Sequence, residues 1–448
     1  MTNVVLLTVD SLRADHVGCY GYERDTTPFI DTLAYEGASF DAYANSTWTR
    51  ASFPSILTST YPLEYGGFEY LSDSRVTVGE AVSDQASTAA FHSNLWLSRD
   101  YNYDRGFDTF YDSKSDPTLL AKLRAYVKTN LDHDSRLYRI LQWLYDTTEE
   151  KSGVDVGQTY KDAETMTDLT VDWISEQEDD FFVWTHYMDV HHPYVPHDTL
   201  GELGIDLNIS EREAVKLRRK MLEEPDEISD DDLKTLIDLY DCEIRYVDNQ
   251  IRRLYEHLEE SGIADDTAVI FTSDHGEEFR DHGGFSHNDS MYDEVLHVPF
   301  VIHGTDARDI SEDIPVELLD VPPTVCDIVG VENPPNYRGV SALENEGKRR
   351  HIISETNNPE GYKISVRTDE YKYIWDIGNE ERELYNLAEN PGETENMINS
   401  TEYEEVAQEL HDELVEHLDK VKSTNEKLPD ITMDNEVEER LEELGYLS

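Results

Sequence analysis

The chain has 448 residues, of which 38% are hydrophobic, so it is long and apolar enough for a large folded domain with a smaller one attached. It carries 97 Asp and Glu against 37 Lys and Arg, a formal net charge of −60, and the acids are spread along the chain. This charge excludes nucleic acid as a general partner. Concentrated salt screens such self-repulsion, so we interpret the composition as halophilic.

The N-terminus and the cysteines indicate the cellular location. Residues 1–3 run directly into an apolar segment, without the basic region and cleavage site of a secretory signal. No apolar segment of the sequence is as long as a membrane span. The spacing of Cys19, Cys242 and Cys326 suggests neither a metal knuckle nor a disulfide framework. We therefore expect a cytoplasmic protein in a high-salt cytosol, with no membrane span.

Three strands are predicted to end in polar residues. Residues 4–9 are a near-continuous apolar run that ends at Asp10, which is typical of a strand buried on both faces of a parallel sheet. Residues 181–184 lead in the same way into Thr185 and His186, and residues 268–271 lead into the segment 272–277. Ligands of open α/β sheets bind outside the carboxyl ends of the strands. We therefore expect these polar side chains to share one edge of the sheet.

Helical periodicity between the strands is clearest at 233–260. Alternation of strands and helices predicts an α/β fold, in which residues 1–350 form a large, mainly parallel sheet flanked by helices. The more polar stretches 114–160 and 200–232 are interpreted as insertions with short helices that shape substrate access.

The sequence changes character after residue 350. Short aromatic strands are predicted at 363–368 and 371–376, with turn residues between them, and an acidic helix is predicted at 436–444. We therefore expect residues 351–448 to form a C-terminal subdomain with a small antiparallel sheet and a helix.

Asp10, Asp274 and His275 are candidate metal ligands. Two carboxylates with one imidazole suit Mn²⁺ or Zn²⁺ better than an all-oxygen Ca²⁺ cage, with Ca²⁺ and Mg²⁺ as alternatives. Considered by itself, Asp10 could be a helix cap and not a metal ligand, because an aspartate at the end of a strand often caps the next helix. Gly276 permits a tight turn just after the other two ligands. We expect one divalent ion.

Histidines gather in two further segments. His282 and His287 lie in a glycine-rich loop shortly after the metal motif, and His186, His191 and His192 lie near a rigid proline segment. Some of these rings serve packing and not chemistry.

Taken together, these motifs resemble the sulfatase family of the alkaline phosphatase superfamily. The segments that carry the resemblance are 5–34, 186–194, 273–283, 319–324 and 383–393, so it extends over nearly the whole chain. It implies a metal-dependent hydrolase that cleaves a sulfate ester. Its anionic substrate would be a sulfate or phosphate ester, for example on a glycan or a lipid headgroup.

The resemblance has one main departure, at the nucleophile. Thr49 stands where sulfatases carry the cysteine or serine that matures to formylglycine, while Ala51 and Phe53 replace the proline and arginine of the maturation motif. Ser11 stands where many sulfatases have a second metal-binding aspartate. A threonine cannot become the aldehyde, so the formylglycine route is closed. Threonine here resembles phosphodiesterase and phosphotransferase relatives, which are the first alternative function; a non-catalytic binder of anionic glycans or lipid headgroups is less favoured.

The resemblance also implies roles for the site residues. Thr49 contacts the metal, which lowers the pKa of its hydroxyl, and attacks the ester at a helix N-terminus whose first turn contains Pro54. A covalent Thr49 ester follows, which water or an acceptor alcohol resolves. His191 or His287 would act as the acid and base. Arg50, His186 and His282 would bind the substrate.

Overall fold

The computed structural model describes residues 3–113, 160–287, 290–304, 314–344, 351–358 and 361–428. Of the predicted elements, the insertion at 114–160 lies outside the described residues except for its last residue, and the acidic helix at 436–444 lies wholly outside them.

Strands and helices alternate along the first part of the chain. The strands are β1 (Asn3–Val9), β2 (Ala38–Tyr43), β3 (Ser87–Phe91), β4 (Thr109–Tyr111), β5 (Phe181–Tyr187), β6 (Thr267–Ser273), β7 (Glu278–Phe279), β8 (Phe285–Ser286), β9 (His297–His303), β10 (Val316–Glu317), β11 (Ile352–Asn358), β12 (Gly361–Arg367), β13 (Tyr371–Asp376) and β14 (Glu381–Asn386). The α-helices are α1 (Pro28–Glu36), α2 (Thr49–Thr58), α3 (Val78–Val82), α4 (Ala163–Ser175), α5 (Thr199–Glu202), α6 (Glu211–Glu223), α7 (Asp230–Glu260), α8 (Asp293–Leu296), α9 (Val321–Val329) and α10 (Glu404–Ser423).

The main sheet has eight strands in the order β10-β2-β9-β6-β1-β5-β3-β4. Strand β9 runs antiparallel to both of its neighbours, and the other pairs are parallel. The predicted large, mainly parallel sheet is thus confirmed. In the register of β1 with β6, Val9 lies opposite Ser273, so Asp10 and Asp274 leave the sheet side by side.

Central strand β1 is buried along its whole length, as its near-continuous apolar run predicted. Its alternate side chains enter two separate cores. Val4 and Leu6 pack toward helices α2, α3 and α9, whereas Val5, Leu7 and Val9 pack toward α1, α4, α6 and α7. The fold is therefore a three-layer α/β structure with helices on both faces of the sheet.

Strand β5 is longer than the sequence indicated. Thr185 and His186 pair with β1 inside the strand, where Thr8 lies opposite His186, and do not follow its end. Helix α7 matches the predicted helix closely and begins slightly earlier, because Ser229 caps its N-terminus. The polar stretch 200–232 carries the short helices α5 and α6, as predicted.

The C-terminal part contains a four-stranded antiparallel sheet, β11-β12-β13-β14, and helix α10. The two predicted aromatic strands correspond to β12 and β13. Leu410 and Leu414 of α10 pack on Ile364, Val366 and Tyr373 of this sheet. The small antiparallel sheet and its helix are thus confirmed, although this helix precedes the one that the sequence predicted. Within the described parts of the chain, no helix is both long and apolar enough to cross a bilayer.

Candidate active site

The three predicted metal ligands meet at the carboxyl edge of the main sheet. Asp10 follows β1, while Asp274 and His275 follow β6, and all three side chains are fully buried. One ligand atom from each lies within 4.8 Å of the others. Two adjacent parallel strands therefore bring together residues that are far apart in the sequence.

Thr49 joins this group as the first residue of helix α2. Its Oγ1 donates a hydrogen bond of 3.1 Å to Asp10 Oδ2 and lies 3.4 Å from His275 Nε2. The side chain is fully buried at the helix N-terminus, where the positive end of the helix dipole favours an anion. Pro54, however, lies inside the helix and not in its first turn, because the helix begins at Thr49 itself.

Backbone contacts fix how the ligands point. His275 Nδ1 lies 2.8 Å from the carbonyl oxygen of Gly276, which can only accept, so the proton is on Nδ1 and the Nε2 lone pair faces the carboxylates. Asp274 Oδ1 accepts hydrogen bonds from the amides of Ser11 and His275. Asp274 Oδ2 is buried, lies 3.6 Å from His275 Nε2 and has no hydrogen-bond partner among the described residues. This donor set fits a divalent cation.

The electrostatics of the group support that fit. Burial and the neighbouring Asp10 carboxylate raise the pKa of Asp274 well above its usual value. Burial also works against ionisation of Asp10, but His191, His186 and His275 outweigh it and hold the pKa of Asp10 below its usual range. Burial and then His287 lower the pKa of His275, which keeps that ring neutral. A bound cation would relieve the repulsion between the two carboxyl groups.

The turn that carries two of the ligands is held by helix α8. The amide of Gly276 donates to the carbonyl of Val295 at 2.7 Å, and the amide of Glu277 donates to that of Glu294 at 3.2 Å. Helix α8 is tied in turn to the C-terminal sheet, where the fully buried Lys372 lies 2.8 Å from Asp293 Oδ1. The C-terminal part thus supports the metal motif indirectly.

Three other side chains surround Asp10. Ser11, in a left-handed conformation with φ of 59°, donates from Oγ to Asp10 Oδ1 at 2.8 Å. His186 Nε2 lies 3.5 Å from Asp10 Oδ2, and its Nδ1 lies 2.9 Å from Thr8 Oγ1. Asn94 Nδ2 lies 3.5 Å from the same Asp10 oxygen. Asn94 is not among the residues predicted from the sequence, although it lies three residues after the end of β3, and the rule of polar residues after strands could have identified it.

Two of the predicted catalytic histidines lie next to the candidate metal ligands Asp10, Asp274 and His275, called the metal group below. The ring of His287 is centred 4.2 Å from that of His275, and His191 lies 5.6 Å from His287. His287 Nδ1 is 3.2 Å from Glu277 Oε1, and Tyr194 donates to the other oxygen of that carboxylate. Burial lowers the pKa of His191, which favours its neutral form. These rings are close enough to one another to act on one substrate.

Two predicted substrate-binding residues have other contacts. The guanidinium of Arg50 lies over the rings of Trp96 at 4.1 Å and Tyr101 at 4.8 Å, and it donates to the carbonyl of Glu69. These contacts involve none of the candidate metal ligands, and the substrate-binding role of Arg50 stays a prediction.

His282 is bound on both of its ring nitrogens. Nδ1 lies 2.6 Å from Glu294 Oε1, and Nε2 lies 3.1 Å from the carbonyl oxygen of Glu393. With His287 it lines a cavity of about 430 Å³. The substrate-binding role of His282 also stays a prediction.

Comparison with known proteins adds the family. Residues 2–331 match the model of the family described as Sulfatase, and residues 281–420 match one described as N-sulphoglucosamine sulphohydrolase, C-terminal. The uncharacterized sulfatase YidJ of Escherichia coli (strain K12) is 25% identical, covering 94% of this chain and 88% of that protein. An arylsulfatase of Clostridium perfringens is 24% identical, with 93% and 94% covered.

Solved structures agree on the fold. The phosphonate monoester hydrolase of Agrobacterium radiobacter superposes with a TM-score of 0.72 at 19% identity, covering 94% of this chain and 96% of that one. A protein crystallised with its substrate D-glucosamine-2-N,6-O-disulfate superposes with a TM-score of 0.69 at 20% identity, covering 94% and 98%.

Proposed function

Because the chain belongs to the sulfatase family and is accordingly a hydrolase of the sulfuric ester type, we propose that it cleaves a sulfate ester with Thr49 as the nucleophile and one divalent metal ion as cofactor. The observation that carries this proposal is the position of the Thr49 hydroxyl. It lies within 3.4 Å of two candidate metal ligands, at the start of a helix.

Asp10, Asp274 and His275 would hold the ion, with Thr49 Oγ1 as a further ligand. The mixture of carboxylate oxygen and imidazole nitrogen favours Mn²⁺ or Zn²⁺ over Ca²⁺ or Mg²⁺. A divalent ion at this position supplies charge stabilisation for the ester oxygens and lowers the pKa of a neighbouring hydroxyl.

The residues of the chain then divide the chemistry. Thr49 Oγ1 attacks sulfur, the bond from sulfur to the alcohol oxygen breaks, and the sulfuryl group is transferred to Thr49. The hydroxyl proton passes through the pair of His191 and His287 to the leaving oxygen. The same pair then deprotonates the water that hydrolyses the Thr49 ester. Arg50, His186 and His282 remain proposed contributors to substrate binding, and of these His186 has the most direct support, because it contacts Asp10.

Phosphodiester cleavage or phosphoryl transfer on the same scaffold is the second candidate. Thr49 favours it, since a threonine ester lacks the rapid collapse available to a formylglycine diol. Ser11 in place of a second aspartate also favours a site with few metal ligands.

We propose a sulfated saccharide as the first substrate class to test, because a structure similar in fold is described with a sulfated sugar as its substrate. We further propose that the enzyme works in a high-salt cytosol.

The test compares an aryl sulfate, an aryl phosphate and a bis-aryl phosphodiester, each after chelation and after addition of Mn²⁺ or Zn²⁺. We expect the sulfate to be cleaved fastest, and only with metal. Asp274→Asn should abolish the activity, whereas Asp266→Asn, an exposed change just before the same strand, should leave it intact. Faster cleavage of the phosphodiester would favour the second candidate. Activity that persists after exhaustive chelation would contradict the metal assignment.

A further inference from the structure

Helix α6 carries an unusual run of cations in a chain whose net charge is −60. It belongs to the polar stretch that the sequence identified as an insertion. Two of its cations form local ion pairs, Arg219 with Glu223 and Lys220 with Asp232. The residues of the run are Arg212, Lys216, Arg218, Arg219 and Lys220.

The folding of α6 determines where Arg218 lies. A capping box between Ser210 and Glu213 starts the helix, and buried Ala214 and Leu217 belong to the core that also includes helix α7. The helix also packs against β8, next to His287 in the sequence. Arg218 follows Leu217, and its Nε lies 3.4 Å from His192 Nδ1. An inserted helix thus brings a guanidinium to the histidine segment.

The contact also fixes the protonation of His192. A guanidinium N–H can only donate, so Nδ1 accepts and the ring proton of neutral His192 is on Nε2, where it can donate to a ligand. The ring is centred 4.2 Å from that of His191 and 6.5 Å from that of His287. His192 therefore lies beside the two histidines proposed to handle the leaving oxygen, and Arg218 contacts it from helix α6.

Arg218 places a positive charge beside His192. Burial lowers its pKa well below the usual value, and His191, Arg218 and His287 each lower it further. A protein with this many acids repels anionic ligands at long range, so an anionic substrate needs a local concentration of cationic and N–H donors where it binds. Arginine suits a sulfate or carboxylate especially well, because its planar fork donates two parallel hydrogen bonds.

We propose that Arg218 and His192 form a second anion-binding subsite, so that the preferred substrate carries a second anionic group on its alcohol portion. The group would be a sulfate or a carboxylate. It would lie on the alcohol side because His192 adjoins His191, one of the two histidines proposed to handle the leaving oxygen. The assignment of that side rests on the proposed function; the subsite itself rests on the contacts of Arg218 and His192.

The subsite is tested first by binding, which does not require turnover. Naphthalene-1-sulfonate, naphthalene-1,5-disulfonate and 5-sulfo-1-naphthoate are titrated calorimetrically into the full-length protein at a salt concentration that keeps it folded. We expect either dianion to bind more tightly than the monosulfonate. Arg218→Met should weaken dianion binding about 10- to 100-fold, the usual effect of losing a charge-assisted hydrogen bond. It should change monosulfonate binding less than about 3-fold.

Two further variants make the result specific. Arg219→Met, next to Arg218 but 75% exposed and paired with Glu223, should leave all three affinities unchanged. Arg218→Lys keeps the charge and should retain part of the preference for dianions, which covers the case in which the methionine variant does not fold. Equal affinities of the wild type for one and two anionic groups would overturn the subsite. Equal losses in Arg218→Met and Arg219→Met would also overturn it, since they indicate only general attraction.

Catalysis separates the two proposals. If the wild type cleaves no sulfate or phosphate ester but still prefers the disulfonate through Arg218, the subsite stands and the proposed function fails. If it cleaves aryl sulfates with and without a ring carboxylate equally well, and Arg218→Met changes neither rate, the proposed function stands and the subsite fails.

Discussion

Removing the Thr49 hydroxyl should separate catalysis from folding more sharply than any other single change. The side chain is fully buried, and its deletion in Thr49→Ala removes two heavy atoms and one hydrogen bond to Asp10. Such a loss costs about 1–2 kcal/mol of unfolding free energy. For a chain of this size that lowers the melting temperature by roughly a few degrees. Loss of a covalent nucleophile should instead lower kcat on the order of 10⁴-fold or more, a barrier increase of at least about 5 kcal/mol.

The assay is steady-state hydrolysis of the fastest aryl ester, together with thermal unfolding of the same samples. Thr58→Ala is the matched control, because Thr58 is equally buried at the other end of helix α2 and its hydroxyl bonds Pro54 and Thr60 instead of the metal group. It should lose similar stability and no activity. Thr49→Ser should keep part of the activity, since a primary hydroxyl can still attack. A rate for Thr49→Ala within about 10-fold of wild type would refute the covalent mechanism and make water the nucleophile.

Three other predictions concern stability. The melting temperature should rise from low to molar KCl, because salt screens a net charge of −60. Lys372→Met should cost about 3–5 kcal/mol in chemical denaturation, since it leaves Asp293 and Glu393 without the buried cation that both contact. Burial opposes protonation of His282, but the Glu294 carboxylate outweighs burial and raises the pKa of the ring from 6.5 to about 9 in the folded protein. The stability gained from the charged ring is therefore complete below pH 6.5 and is lost as pH rises through about 9.

Each of these has a clear contrary outcome. A melting temperature independent of KCl would contradict the halophilic interpretation. Lys420→Met, which removes a 69% exposed lysine paired with Glu416, should change stability by less than about 1 kcal/mol, and an equal effect at Lys372 would refute the buried-bridge argument. His282→Gln should flatten the decline in melting temperature between pH 6.5 and 9; an unchanged slope would show that another group titrates.

The closeness of the candidate metal ligands could be predicted from the sequence, because these residues follow the ends of apolar strands. Once β1 and β6 are recognised as adjacent parallel strands, Asp10 and Asp274 must leave the sheet together. Side chains placed by shorter or less apolar strands gave a weaker signal. Asn94 follows β3, whose sequence of small residues lacks the strong apolar run of β1. Its position after a strand indicates the carboxyl edge of the sheet, but its contact with Asp10 also depends on the place of β3 in the strand order.

Arg50 shows a different limit of sequence alignment. Its side chain contacts the rings of Trp96 and Tyr101. Successive residues of an α-helix project about 100° apart, so a motif that identifies Thr49 does not fix where the next side chain points. The substrate-binding role of Arg50 stays a prediction.

Helix α10 could have been identified from spacing alone. Its buried residues recur at intervals of three and four, as expected of an amphipathic helix, at Leu410, Leu414, His417 and Val421. The acidic residues between them resemble those elsewhere in this chain and make the pattern hard to recognise. By contrast, the histidines could be divided only by their partners. His197 is bound to Glu243, away from the metal group, whereas His191 and His287 lie beside it.

The bridge from Lys372 to helix α8 bears on how the chain can be divided. Asp293 of that helix is bound by the C-terminal sheet, and the helix receives the amides of Gly276 and Glu277 that shape the metal motif. The boundary near residue 350 is therefore a change of architecture and not a seam between independent modules. A fragment that ends there would keep helix α8 but lose the buried lysine that anchors it, so truncation at this boundary should also loosen the turn that carries Asp274 and His275.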